Sequence, residues 1–279
     1  MAGVRKRALN VRANAPATLD ILARETSAGP TSDRCKHRYA RHDLHDRHAI
    51  VPTLLMQPHS THPEQPMRPW HQFIIPILRH FRLRRGARML GLFPQLPTYR
   101  VLDLGGSVHF WHESGLIDQV GSVDIYNVSH SEIQTQHNAS DKFRIHIYDG
   151  QHLPVADQSY DLVISNSVFE HIPPPARAQV AREARRVGRC GFIQTPALEF
   201  PIEPHFVMPL LHWLPRRWGR QLVRVSPWAL LSAQPAAVQD AYWNEVRLLS
   251  RNDLAALFPG ETVTAERFVG LPKAWIAHW

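Results

Sequence analysis

A short apolar segment that ends in two glycines constrains this chain more than any other feature of its sequence. Residues 100–111 read RVLDLGGSVHFW, in which Arg100–Leu104 has the composition of a buried strand and Gly105–Gly106 ends it. Glycines at such a place let the backbone turn sharply and approach a ligand at the carboxyl end of a parallel strand. No Gly-Lys-Ser/Thr follows, so the turn is not a P-loop.

Further strand-like segments follow, separated by stretches that can form helices. We predict strands at Val120–Val128, Phe143–Tyr148, Tyr160–Ser165 and Gly191–Thr195, and two closing strands at Val263–Val269 and Ala274–His278. Helices are predicted between the fourth strand and Pro173–Pro175, at Ala176–Val187, and at Ser250–Leu257 with Ser250 as the N-cap. Strands that alternate with helices predict an α/β fold built on a parallel sheet.

The first part of the chain differs in composition from the rest. Residues 1–70 contain 11 Lys/Arg and 6 Asp/Glu, and residues 1–65 show no sustained hydrophobic period. We interpret residues 1–66 as a basic, His/Pro-rich and disordered N-terminal arm, followed by a folded domain over residues 67–279. His42, His45 and His48 recur every three residues, but we interpret them as part of a solvated low-complexity tract, and no metal site is predicted.

Charge, hydropathy and cysteine content limit the classes of protein to which this chain can belong. The net charge of +8 and the isoelectric point near 10.0 allow anionic partners such as nucleic acid, phospholipid or acidic substrates. No apolar run of about 18 residues predicts a spanning helix, and no signal-peptide core is present. Two cysteines exclude a disulfide framework and a four-cysteine zinc site. We therefore expect a cytoplasmic protein.

Motifs at the ends of the next three strands complete a pattern. They read VDIYNVS (123–129), YDGQHLP (148–154) and SYDLVISNSVFEHI (159–172). Together with the Asp-Leu-Gly-Gly turn, they resemble class I S-adenosylmethionine-dependent methyltransferases, of the group whose fourth-strand motif runs FDLVxSxxVxEHxxxP. The resemblance covers roughly residues 72–279. It implies an enzyme that uses S-adenosyl-L-methionine, with a Rossmann-like seven-stranded, mostly parallel sheet, helices on both faces and an antiparallel final strand.

The resemblance also implies where the cofactor binds. Asp103 and Gly105 match the acidic residue and first glycine of the family's D-x-G-x-G-x-G, while Ser107 and His109 replace its second and third glycines. Asn127 and Asp124 are alternatives for the ribose position, and a spacing of 24 residues from Asp103 favours Asn127. The full set of implied cofactor residues is Asp103, Gly105, Gly106, Ser107, Asp124, Asn127, Asp149, Gly150, Gln151, Ser165 and Asn166.

Within this set, the later residues have separate roles. Asp149 matches the residue that receives the adenine amino group, with Gly150 and Gln151 beside it. Ser165 and Asn166 end the fourth strand, under the methionine part of the cofactor.

A long connection after the fifth strand is the expected acceptor side. We interpret residues 196–249 as a substrate-covering insertion, because connections beyond about 15 residues are usually functional. Its Glu-Pro-His and His-Trp-Leu-Pro sequences resemble those of a subset of bacterial methyltransferases. Histidine is well suited to act as a general base near neutral pH. His205 in this segment and His171 in the fourth-strand motif are therefore the catalytic candidates, with a packing role as the alternative for each.

Residues 212–231 combine three tryptophans with four arginines. This mixture is typical of a membrane interface and would equally suit an anionic or lipid-like acceptor. The alternative is a surface helix whose long side chains cover apolar surface.

Three functions remain open from the sequence. The leading one is methyl transfer to a small-molecule, lipid or glycan acceptor, with a hydroxyl as the expected acceptor group and nitrogen or carbon as the alternatives. An RNA methyltransferase is suggested by the basic arm, but the Asn/Asp-Pro-Pro-Tyr/Phe motif of exocyclic-amine methylation is absent, so nucleic acid is disfavoured. A non-catalytic binding module that keeps the fold is the third.

The composition of residues 1–66 generates a prediction about folding. A chain that begins at Met67 should unfold cooperatively, with a melting temperature within a few degrees of the full chain, because the arm lacks an apolar face to bury. Differential scanning calorimetry of both chains measures this. Loss of the cooperative transition in the shorter chain would show that the arm packs on the domain.

Overall fold

The computed structural model describes residues 69–128 and 141–279, with side chains from residue 79 onward. The predicted arm over residues 1–66, including His42, His45 and His48, lies outside the described residues, as does Ser129 of the second-strand motif. In the part described, no helix is long and apolar enough to cross a membrane.

Nine strands are present in the described residues. They are β1 (Arg100–Leu104), β2 (Ser122–Asn127), β3 (Phe143–Ile147), β4 (Tyr160–Asn166), β5 (Gly188–Pro196), β6 (Ile202–Glu203), β7 (Met208–Pro209), β8 (Thr262–Phe268) and β9 (Leu271–His278). The helices are α1 (Pro69–Leu92), α2 (Val108–Glu113), α3 (Pro174–Val187), α4 (Arg216–Val223), α5 (Pro227–Ser232), α6 (Ala236–Glu245) and α7 (Arg251–Leu257). Every predicted strand is thus confirmed, with ends that differ by a few residues.

Seven of the strands form one sheet in the order β3-β2-β1-β4-β5-β9-β8. The first five strands are parallel, and β9 runs antiparallel to both β5 and β8. This confirms the predicted fold class, including its antiparallel end. The chain order reverses between β1 and β4, and ligands bind beyond the carboxyl ends of strands at such a point.

The sheet separates two apolar clusters, which explains the apolar composition of its strands. Leu102 and Leu104 of β1 pack into one cluster, whereas Val101 packs into the other, because alternate strand residues face opposite sides. All three side chains are almost fully buried. A strand that is buried on both faces has no side chains facing solvent, so its sequence is a continuous apolar segment.

The predicted helix between β4 and Pro173 is wrong. Residues 167–172 form turns, and the N–H of Ser167 donates to the carbonyl of Gln194 at 2.9 Å. Pro174 begins α3 instead of ending an earlier helix, because proline suits the first helical position, where no N–H is needed. Only seven residues separate Asn166 from Pro174, so Glu170 and His171 stay at the carboxyl edge of the sheet.

The inserted segment, residues 196–249, has a small apolar core of its own. Phe206, Leu211, Val223 and Trp243 bury their side chains against one another. They come from the β6–β7 hairpin, a 3-10 helix at Leu211–Trp213, α4 and α6. The segment is therefore a packed structure beside the end of β5.

The chain returns to the sheet at Ser250, as predicted. Its side chain accepts the N–H of Asp253, and the Asp253 carboxylate accepts the N–H of Ser250 at 2.8 Å. This reciprocal capping begins α7.

Two glycines on α1 generate a matched test of packing. A Cβ at Gly86 would lie 2.1 Å from the carbonyl oxygen of Ser114, whereas a Cβ at Gly91 would meet nothing within 4 Å. Gly86→Ala should therefore lower the free energy of unfolding by about 1–3 kcal/mol. Gly91→Ala should raise it by up to about 1 kcal/mol, because alanine is the better helix former. Urea denaturation measures both, and equal effects of the two variants would contradict close packing at Gly86.

Candidate active site

The glycine turn after β1 is shaped so that side chains are excluded from it. Gly105 has a φ of +70°, and a Cβ there would lie 2.6 Å from the Val168 side chain. A Cβ at Gly106 would lie 1.9 Å from the Asp103 carboxylate. The N–H of Gly105 donates to the carbonyl of Tyr126 at 2.8 Å, which ties the turn to β2. Glycine is thus required at position 105 by conformation and space, and at position 106 by space.

Asp103 is a fully buried carboxyl group beneath this turn. Its Oδ2 accepts the indole N–H of Trp111 at 2.8 Å, and its Oδ1 has no hydrogen-bond partner among the described residues. Burial raises the pKa of Asp103 to about 7, although the Trp111 bond opposes the rise. An unpaired buried acceptor of this kind suits a ligand that brings a donor.

The two ribose candidates on β2 have different surroundings. Asn127 is buried at the carboxyl end of β2 and donates to the carbonyl of Gly106 at 3.2 Å, and no described residue donates to its Oδ1. Asp124 lies in the middle of the strand and accepts hydrogen bonds from Tyr160 at 2.8 Å and Arg144 at 2.9 Å. Asp124 therefore links β2 to side chains of β3 and β4, whereas Asn127 keeps an acceptor available at the carboxyl end of β2.

The turn after β3 places Asp149 at the same edge. Its Oδ1 accepts the N–H groups of Gln151 and His152, each at 2.7 Å, and Gly150 has a φ of +77°. A carboxylate that bonds the amides that follow it stabilises such a turn. The Asp149 side chain remains 60% exposed, so the carboxylate is accessible to a ligand.

The end of β4 provides Ser165 and Asn166. Ser165 donates its hydroxyl to the carbonyl of Leu104 at 3.1 Å and so joins β4 to the end of β1. Asn166 accepts a hydrogen bond from Arg85 of α1, and Arg85 also contacts both carboxylate oxygens of Glu266 at 3.1 and 2.9 Å. This support could not be found from the sequence, because 181 residues separate Arg85 from Glu266.

A cluster of histidines and carboxylates lies beside the end of β4. His171 and His205 form an edge-to-face pair with ring centroids 5.0 Å apart. The Nδ1 of His171 lies 2.8 Å from Glu245, and the Nδ1 of His205 lies 2.7 Å from Glu203. The Nε2 of His205 lies 3.8 Å from Oε1 of Glu170. The fold therefore brings both catalytic candidates together, although they are 34 positions apart in the chain.

These three glutamates were not among the candidate site residues. Glu170 and Glu203 are almost completely buried, while Glu245 is partly exposed. Burial lowers the pKa of His171, but the hydrogen bond to Glu245 and the neighbouring carboxylates outweigh it, so the pKa is raised overall. Glu170, next to His171, and Glu203, two residues before His205, could have been found from the sequence, whereas Glu245 is 74 positions from the histidine that it contacts.

A cavity of about 130 Å³ adjoins this cluster and shares Glu203 with it. Its lining residues are Leu198, Glu203, His212, Arg216, Trp243, Val246, Arg247 and Leu248. The guanidinium of Arg216 stacks on the Trp243 ring at 4.0 Å from its centroid. All of these residues belong to the segment 196–249.

A family comparison fits this arrangement. Residues 102–191, about a third of the chain, match the family whose description is a methyltransferase domain. The match begins in β1 and ends in β5, so it includes the glycine turn and the strand ends described above. No match was found among curated proteins.

Similar solved structures include three methyltransferases. A SAM-dependent methyltransferase from Aquifex aeolicus is 13% identical, with 76% of this chain and 98% of that chain covered and a TM-score of 0.46. A magnesium protoporphyrin IX methyltransferase from Synechocystis PCC 6803 with bound SAH is 13% identical, with coverage of 77% and 89% and a TM-score of 0.46. An S-adenosylmethionine-dependent methyltransferase from Mesorhizobium loti is 13% identical, with coverage of 70% and 94% and a TM-score of 0.45.

The family match coincides with the part of the chain that forms the crevice. It covers the buried Asp103, the glycine turn and the motifs that end β2, β3 and β4. The strand order of the sheet, with its antiparallel end, agrees with the fold that the sequence motifs predict. The chain therefore contains a methyltransferase domain over residues 102–191.

Proposed function

We propose that this enzyme transfers a methyl group to a hydroxyl of a small-molecule, lipid or glycan acceptor. The observation that supports this most is the His171–His205 pair, which lies beside the strand end that carries Ser165 and Asn166. S-adenosylmethionine, when bound, supplies a methyl group on a sulfonium, which is already a good electrophile. The task of the protein is therefore to align an acceptor with it.

The residues at the crevice fit the cofactor. Two buried oxygens, Oδ1 of Asp103 and Oδ1 of Asn127, receive no donor from the described residues, and the cofactor offers an ammonium group and ribose hydroxyls. The turn at Gly105 and Gly106 leaves room for close approach. We propose that Asn127, and not Asp124, binds the ribose, because the Asp124 oxygens already accept from Tyr160 and Arg144.

The remaining cofactor contacts follow from position in the sheet. We assign Asp149, with Gly150 and Gln151, to the adenine end, because its carboxylate is exposed after β3. Ser165 and Asn166 are assigned to the methionine end, after β4. Ser107 precedes α2, and its side chain makes no capping bond to that helix, so we assign its hydroxyl to the cofactor as well.

The acceptor side is assigned to the two histidines. Each ring is oriented by a carboxylate at Nδ1, Glu245 for His171 and Glu203 for His205, which leaves Nε2 as the nitrogen that can act. Oriented side chains hold an acceptor in line at little entropic cost. We propose that His205 and His171 contact the acceptor hydroxyl.

The neighbouring cavity supports an acceptor with an anionic group. Arg216 and Arg247 both line it, and their hydrogen bonds go to the backbone carbonyls of Trp243 and Val246. Partial burial and the nearby charge of Arg247 lower the pKa of Arg216 to about 10, so the two guanidiniums repel each other. A phosphate or carboxylate of the acceptor would relieve this repulsion.

The surface formed by residues 212–231 supports a peripheral membrane contact. Trp213 and Trp218 are 51% and 56% exposed, and Val225 and Leu230 are 59% and 62% exposed. Tryptophans with nearby arginines suit the headgroup region of a bilayer. Trp228, in contrast, packs against Phe206 inside the segment, with ring centroids 5.3 Å apart. A cytoplasmic location and a disfavoured role for nucleic acid stay predictions from the sequence.

Asp103 generates a test of the cofactor site. The pKa of an aspartate is ordinarily 3.8, and burial raises the pKa of Asp103 to about 7. Below pH 3.8 the carboxyl group is protonated in both the folded and the unfolded chain, so its burial does not lower the free energy of unfolding. The loss grows as the pH rises from 3.8 to 7 and is complete above pH 7. Relative to the wild type, Asp103→Asn should gain about 2–3 kcal/mol of stability between pH 5 and pH 8. It should also bind S-adenosylhomocysteine more weakly, because a charge-assisted acceptor is lost.

Urea denaturation at the two pH values and calorimetric titration with S-adenosylhomocysteine measure these effects. Asp118→Asn changes an exposed aspartate and serves as the control, with no such gain expected. A stability difference that is the same at pH 5 and pH 8 would contradict a raised pKa at Asp103.

His205 generates a test of the acceptor side. His205→Ala should lower turnover by about 10²–10⁴-fold, the range for loss of a positioned polar group at a reacting atom. Affinity for S-adenosylhomocysteine should stay within about twofold, because cofactor contacts come from β1 to β4. The assay follows labelled methyl from the cofactor into a cell extract, and then into the purified acceptor. His80→Ala, which changes an exposed histidine of α1, is the matched control. Unchanged turnover in His205→Ala would show that His205 only packs.

A further inference from the structure

Glu170 is a fully buried carboxylate whose two oxygens are in unequal surroundings. Its Oε2 accepts the hydroxyl of Thr195 at 2.9 Å. Its Oε1 has no hydrogen-bond partner in the described part of the chain and lies 3.8 Å from Nε2 of His205. Leaving a buried charged acceptor unpaired is costly, so the position calls for a positive group.

The two histidines of the cluster are held as metal-binding histidines usually are. A carboxylate contacts Nδ1 of each ring, Glu245 for His171 and Glu203 for His205. Histidines that bind a metal commonly donate their other ring N–H to a carboxylate or carbonyl, which fixes the tautomer and the ring orientation. Glu203 is itself fixed, since its Oε2 accepts the N–H of Phe206 at 2.7 Å.

Among the described residues, the carboxylates of the cluster form no hydrogen bond with a nearby guanidinium group, which favours a bound cation. Three carboxylates, Glu170, Glu203 and Glu245, surround the two rings. The nearby guanidiniums donate to backbone carbonyls instead of to these carboxylates. They belong to Arg177, Arg216 and Arg247.

We propose that Glu170, His171 and His205 bind a divalent transition-metal ion, with zinc as the best match. One potential ligand atom from each residue lies within 4.8 Å of the others. Ligands at about 2.0–2.1 Å from zinc in a tetrahedral site lie about 3.3 Å apart, so small side-chain rotations close the site. Two imidazoles and one carboxylate leave the fourth position open, which is typical of catalytic zinc.

The choice of ion follows from the ligand chemistry. Imidazole nitrogen suits zinc and its neighbours in the first transition row, whereas magnesium and calcium prefer oxygen ligands. Two of the three ligands are nitrogens, so the hard cations should bind weakly.

The site deepens the proposed function and rests on it for its role in turnover. An ion at Glu170, His171 and His205 would contact the acceptor hydroxyl through its open position and polarise the oxygen as a Lewis acid. The hydroxyl proton then leaves to solvent as the oxygen–carbon bond forms and the carbon–sulfur bond breaks. In this step the histidines would hold the ion, and the ion would contact the acceptor hydroxyl in place of their ring nitrogens.

Calorimetric titration of the metal-stripped full chain with zinc chloride tests the proposal. The wild type should show one tight site, and Glu170→Gln and His205→Gln should each weaken that site at least 100-fold. Glu245→Gln should weaken it about 10–100-fold, as expected for a residue that orients a ligand. Magnesium chloride should show no site of comparable affinity. His80→Gln, which changes an exposed histidine, is the matched control and should leave zinc binding unchanged.

Two further measurements make each outcome decisive. Thermal melts of the metal-free variants check folding, and if Glu170→Gln fails to fold, the partly accessible His205→Gln decides. Binding of S-adenosylhomocysteine, measured in parallel, should be the same for wild type and variants. Absence of tight zinc binding, or a tight site retained in both ligand variants, overturns the metal site while leaving the methyltransferase function standing. Loss of cofactor binding in the wild type would instead overturn the proposed function.

Discussion

Parallel pairing of β1 with β4 is the constraint on which the rest of the site depends. Val101, Leu102 and Asp103 pair with residues 162–164, so the ends of both strands reach the same edge of the sheet. The glycine turn after β1 then faces the turns after β4, and a Cβ at Gly105 would meet Val168. The turn after β1 and the turns after β4 therefore meet at one edge of the sheet.

The carboxylates at the ends of β1 and β4 have different surroundings. At the end of β1, Asp103 has one oxygen bonded to Trp111 and one without a partner among the described residues, and burial raises the pKa of Asp103 to about 7. Beside the end of β4, Glu203 and Glu245 each contact Nδ1 of a histidine. An unpaired buried carboxylate lowers the stability of the protein but leaves an acceptor for a ligand. A carboxylate that contacts a histidine fixes the orientation of that ring.

Much of the fold was predictable because its strands are buried on both faces. A continuous apolar segment such as residues 100–104 has no competing amphipathic period, and the glycines after it mark its end. The segment 167–172 was predicted as a helix and is not one, since Ser167 pairs with Gln194 on the neighbouring strand. A contact of this kind is between residues far apart in sequence and leaves no local pattern.

The strands, the glycine turn and the residue types at each strand end could all be predicted from the chain alone, because they depend on local backbone geometry and burial. The motifs also singled out His171 and His205 as candidates. That the two rings lie 5.0 Å apart, with Glu203, Glu245 and Glu170 around them, became visible only in the folded molecule. Packing of the inserted segment against the sheet edge brings these groups together, and such packing is a property of whole elements, which no single stretch of sequence encodes.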